Sequence, residues 1–125
     1  MQRIIQPNRW SCFACCAAMI TGETLQAVID HVGHDGSDIY LDRPHADKRR
    51  CFTFAEITGY LASRNYVLGL PVEPVWITVL RSLFMLHRST PGILVVKGGE
   101  FNHAVFWNGR KVLDPSPGVS GDRPL

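Results

Sequence analysis

Residues 103–114 read HAVFWNGRKVLD, two apolar runs parted by Asn-Gly. Aromatic and β-branched residues around that dipeptide predict a β-hairpin with a type I′ turn at Asn108-Gly109. With these two residues at the centre of the turn, the numbers of cross-strand partners sum to 217. Trp107 then faces Arg110, Val105 faces Val112 and His103 faces Asp114. Partners on one face of an antiparallel pair hold their Cβ atoms about 4.5–5.5 Å apart. A carboxylate at that distance reaches an imidazole, fixes its tautomer and raises its basicity. A slip of one residue would put the two side chains on opposite faces. An ordinary cross-strand ion pair at a sheet edge would leave the same pattern.

Working outward, GILVVKG at 92–98 reads as a buried-type strand that extends the hairpin into an antiparallel sheet. The elements further upstream are helical. CFACCAAMI at 12–20 predicts a short, largely buried helix, with Ser11 or Asn8 available as N-cap and Thr21-Gly22 as its break. Leu25, Val28, Ile29 and Val32 form the apolar stripe of a second helix over 24–32, stopped by Gly33. Residues 34–52 are polar and aperiodic, and read as a long exposed loop that can rim a cleft. Thr53 and Glu56 form a capping box opening a third helix to Ser63, with Phe54, Ile57 and Leu61 inward and Asn65 as a left-handed stop. Tyr66 to Leu70 reads as a strand, and 75–86 as a buried helix or a strand running into one. The segment 115–125 is rich in Pro and Gly and reads as a loosely ordered tail. Helices first and an antiparallel sheet afterwards make an α+β class in a single domain over 1–125.

Composition narrows the function. Of the 125 residues, 46% are hydrophobic and 19% charged, which fits a folded chain and not a disordered one. A net charge of +2 gives no reason to expect nucleic acid. No apolar run approaches membrane-spanning length, and MQRIIQPNRW lacks the apolar core of a signal peptide, so a cytoplasmic protein is expected.

Three of the four cysteines fall within QPNRWSCFACCAAM, residues 6–19. A disulfide framework spreads its cysteines, whereas Cys15 and Cys16 are adjacent, so reduced thiols are expected. Structural zinc wants four ligands in two clusters, and only Cys51 and His45 stand near enough to be considered, so no metal is expected. Cys15 and Cys16, deep in an Ala-rich run, read as packing. Cys12 is different. It occupies the first helical turn, where unpaired N–H groups and the helix dipole are expected to lower its pKa. A Cys–His hydrolase also needs a base, a group to orient that base and donors for an oxyanion. His103 and Asp114 meet the first two needs. Gln6, six residues before Cys12 and turned by Pro7, supplies a side-chain donor beside the Cys12 N–H. His31, His34, His45 and His87 have no partner of comparable spacing.

Gln-x5-Cys leading a helix of small residues that ends in Ala-Met, with a late His on a strand and Asp114-Pro115 closing the next, resembles the papain-like cysteine peptidase superfamily. It is most similar to stand-alone relatives of the double-glycine leader peptidases. QPxRWSC and GHDGSDI also look like small uncharacterised phage and bacterial proteins. The resemblance implies a papain-like fold with N-terminal helices packed on a C-terminal sheet. It implies Cys12 as nucleophile, His103 as base, Asp114 as its orienter and Gln6 as oxyanion donor, with no cofactor. Phe13 departs from the Gly usual there, and the His-to-Asp spacing is short. With no transporter portion, cleavage of a bacteriocin leader is not expected.

The expected function is therefore a cysteine-dependent hydrolase, a peptidase acting on a protein or peptide through a thioester. Acyl transfer or deamidation would use the same residues. The alternative is a catalytically silent scaffold that binds a partner protein, such as a phage-encoded inhibitor.

Overall fold

The computed structural model describes residues 2–39, 49–67, 89–98 and 101–118. Helices α1 (Cys12–Thr21), α2 (Leu25–Val32) and α3 (Phe54–Ser63) precede strands β1 (Gly92–Gly98), β2 (Phe101–Trp107) and β3 (Val112–Leu113). The strands form an antiparallel sheet in the order β1-β2-β3, which is an α+β arrangement. Among the described residues no single helix is long and apolar enough to cross a membrane.

Helix α1 is the centre of the packing. Ala14 to Met19 are buried without a break, because one side of the helix meets α2 and α3 while the other meets the sheet. Ala14, Ala17 and Ala18 pack with Val28, Phe52, Ile57, Tyr60 and Leu61. Cys16 and Met19 pack with Ala104, Phe106 and Leu113. Small side chains on α1 let both layers approach closely, and Phe13 fills space in both clusters.

The helix ends follow local chemistry. Thr24 Oγ1 accepts from Ala27 N at the start of α2, and Gly33 closes it in the left-handed region at φ 89°. The capping box of α3 forms as expected, with Thr53 Oγ1 accepting from Glu56 N and Glu56 Oε2 from Thr53 N. Asn65 adopts φ 65° just beyond it. At α1, Ser11 holds the N-cap position, but its hydroxyl donates to Asn8 Oδ1 at 2.6 Å instead of capping the helix.

Several expectations need correction. Phe54 is exposed, and Tyr60 takes the inward place on α3 with Ile57 and Leu61. In strand β1, Ile93 and Leu94 are only half-buried and Val95 is exposed. The stems of the 34–52 loop are not free. Ile39 bridges Arg49, Cys51 N donates to Gly36 O, and His34 and Arg50 both reach Glu56 Oε1 on α3. Pro115 is fully buried and its carbonyl accepts from Gln6 N, so the tail is held at its start. Tyr66 and Val67 lie outside any strand. Residues 40–48, 68–70, the 75–86 segment and 119–125 lie outside the described residues.

The hairpin turn also differs. Phe106 pairs with Leu113 and Trp107 with Val112, so partner numbers sum to 219. Asn108 through Lys111 form a four-residue loop in place of a two-residue turn. The Asn108 side chain is the cause, since its Oδ1 accepts from both Arg110 N and Lys111 N at 2.9 Å and spends the Asn on capping.

Candidate active site

The shift of the hairpin register is by two residues, and side chains alternate with a period of two. His103 and Asp114 therefore keep a common face, which is the face carrying Val105, Trp107 and Val112. Extending the observed register sets His103 level with Ser116, with Asp114 diagonal to it. The diagonal is close enough. His103 Nε2 lies 2.7 Å from Asp114 Oδ1 and 3.1 Å from Ser116 Oγ.

The Asp114 side chain folds residues 114–116 into an Asx-type turn beside His103. Ser116 N donates to Asp114 Oδ1 at 2.8 Å, so one carboxylate oxygen serves both the backbone and the imidazole. Burial works against the charged carboxylate. The Ser116 amide, the His103 ring and the Ser116 hydroxyl outweigh it and hold the Asp114 carboxyl below its ordinary value. As a charged acceptor, Asp114 Oδ1 sets Nε2 as the protonated nitrogen of a neutral His103 ring. Nδ1 is then the basic nitrogen, and it has no hydrogen-bond partner among the described residues.

The N-terminal segment grips the outside of the same turn. Arg3 Nε donates to Asp114 O at 2.6 Å, Gln6 N to Pro115 O at 2.8 Å and Arg3 Nη2 to Ser116 O at 2.7 Å. Three successive carbonyls are thus taken by residues 3 and 6. The tether brings Gln6 to the turn that carries Asp114. Gln6 is buried, and its Oε1 has no hydrogen-bond partner.

Cys12 begins α1 and packs beside Ala104, the residue after His103. The structure places it on the Ala104–Phe106 side of the sheet, and no hydrogen bond joins its Sγ to His103 among the described residues. The expected lowering of its pKa is not found. Burial pushes the Cys12 thiol up, outweighing the opposing pull of the backbone amides of Ala104, Phe13 and Cys12 itself, and the Asp114 charge adds to the rise. Desolvation is a tertiary effect and here exceeds the local benefit of the helix start. Burial drives Cys15 up to about 12 and Cys16 well above its ordinary value, in line with packing roles.

Two further residues brace the loop stem upstream of α3. Trp10, two positions before Cys12, carries the Arg49 guanidinium 4.8 Å above its ring and packs against the loop stem at Gly36. Its indole Nε1 is buried with no partner. The His34 ring is pinned between Phe52, Glu56 and the Gly36 amide and braces the loop stem. A separate cavity lies at the far end of α1, lined by Arg3, Ile4, Met19 and Gly22, away from Cys12. Among the described residues no three His, Cys, Asp or Glu side chains gather as a metal site.

Ser116 and Arg3 escaped the sequence reading. Asp-Pro-Ser is a local turn signature that points to Ser116. Arg3 has no such signal, since its partners lie more than a hundred residues away. Comparison of the chain with protein-family models, with curated proteins and with solved structures returns no match in any of the three.

Proposed function

We propose that this chain is a papain-like cysteine hydrolase that cleaves a peptide or related acyl substrate. One observation carries the reading: Asp114 holds His103 by Nε2, which leaves Nδ1 as the basic nitrogen. Cys12 packs against Ala104 on the other face of β2, so the reading requires the His103 ring to reach the thiol around the strand edge. A raised thiol is a resting thiol. Cys12 gives its proton to His103 Nδ1 as Sγ attacks the carbonyl carbon, so charge appears only with substrate present. The oxyanion is held by the Gln6 side-chain amide and the Cys12 N–H. The imidazolium, steadied by Asp114, protonates the leaving amine. Water then adds to the thioester, His103 takes its proton, and the acid product leaves with the thiol restored.

The test is acylation by p-nitrophenyl acetate. A burst of one nitrophenolate per chain, with an acetyl group mapped to Cys12 and lost in His103→Ala, is the expected result. No burst, together with iodoacetamide labelling of Cys12 no faster than of Cys15, would remove the activated nucleophile.

A second reading has its own support, because the Cys12 thiol is raised and not hydrogen-bonded to His103. In that reading the fold is a silent scaffold that binds a protein. Retention of the biological effect in Cys12→Ala would favour it.

A further inference from the structure

We infer that Arg3 is a positioning residue for the His103–Asp114 pair, acting through the turn at 114–116. The inference rests on the hydrolase reading, since it concerns how the base is oriented. Asp114 and Ser116 are the two residues whose side chains meet His103 Nε2. Arg3 holds the main-chain carbonyls of those same two residues, through Nε at 2.6 Å and Nη2 at 2.7 Å. One planar guanidinium therefore fixes the spacing and tilt of the two residues that clasp the ring. Gln6 N on the intervening Pro115 carbonyl completes the grip, so the same short segment that bears Gln6 also sets the turn. A lysine at position 3 would reach one carbonyl or the other, because a single ammonium cannot span both in a fixed fork.

Arg3 touches no reacting atom in this arrangement. Its effect passes through Asp114, and that dependence is measurable. Burst rates with p-nitrophenyl acetate are compared in wild type, Arg3→Gln, Asp114→Ala and the double variant, with Arg3→Lys as the conservative change. In the wild-type background Arg3→Gln is expected to slow acylation by roughly tenfold, and Arg3→Lys by less. In the Asp114→Ala background the same Arg3→Gln change is expected to cost less than about twofold, because the orienting group is already gone. Equal slowing by Arg3→Gln in both backgrounds would overturn the inference, since that is what general destabilisation produces.

A second readout needs no reactive thiol. The ¹⁵N shifts of the His103 ring report its tautomer. The Nε2–H form is expected to dominate in wild type and in Arg3→Lys, and to give way to a mixture in Arg3→Gln while the remaining amide spectrum stays folded. If wild type shows no burst at all, the hydrolase reading fails by itself, and the tautomer still decides the role of Arg3. An unchanged His103 tautomer in Arg3→Gln overturns it.

Discussion

His103 meets Asp114 through Nε2, 2.7 Å from Oδ1, and the same oxygen is also bound by the Ser116 amide. This shared acceptor makes the carboxylate a fixed point of the site. It cannot turn toward solvent without giving up both bonds. The ring it holds is thereby limited to one tautomer and one tilt.

Removing the acceptor should uncouple the ring. Asp114→Ala is expected to lower kcat for acylation by roughly 10²–10⁴-fold, the range of a base that loses its orientation. Asp114→Asn retains an acceptor oxygen and should keep more of the rate. Stopped-flow bursts on the two variants give the comparison, and equal losses would speak against an orienting role.

Gln6→Ala separates stability from activity. The Oε1 atom is already buried without a partner, so its removal relieves an unsatisfied group. Urea midpoints are expected to stay level or rise. On the hydrolase reading, loss of the Gln6 side-chain amide should nevertheless lower kcat by roughly 10²–10³-fold with little change in KM. A variant that loses neither rate nor stability would take Gln6 out of the site.

Glu56 gives the fold a defined acid response. Burial opposes its charge, yet the Thr53 amide and the His34 ring hold its carboxyl below its ordinary 4.5. A depressed carboxyl contributes stability that is present above the ordinary value and is lost as pH falls through the lower folded value. Glu56→Gln should therefore be less stable than wild type at neutral pH and converge with it in acid. Thr53→Ala removes the other half of the capping box and should cost about 1 kcal/mol. Urea titrations at neutral and acid pH measure both.

Gly36 sits in a left-handed backbone where a side chain would crowd its neighbours. Its φ is +77°, and a Cβ would lie 3.1 Å from both Phe52 Cε2 and Trp10 Cδ1 and 3.2 Å from Cys51 Cα. Gly36→Ala should destabilise the chain by about 1–3 kcal/mol. Because Trp10 is one of the colliding groups, its fluorescence should shift in the folded state as well.

What could be read from the sequence follows physical range. The Thr53–Glu56 capping box and the Gly33 stop depend on residues within a turn of one another, and both form as expected. The His103–Asp114 contact forms although the two-residue turn that predicts it does not. It survives because an error of two residues preserves the face, whereas an error of one would have destroyed it. The Cys12 thiol went the other way. Its helix-start benefit is local, but the burial that outweighs it comes from the packed sheet and is invisible in residues 6–19. Phe54 is exposed for a similar reason, since Tyr60 fills the inward face of α3 against α1.

The bond from Arg3 to Ser116 spans 113 positions of chain. Closing a loop of that size costs entropy before any contact repays it, so this union is expected to form late in folding. On a ribosome Cys12 is made well before the turn that holds His103. On the hydrolase reading, the growing chain carries its nucleophile unarmed until residues 114–116 have been made and folded. Reactivity then arrives together with the completed fold, as one event.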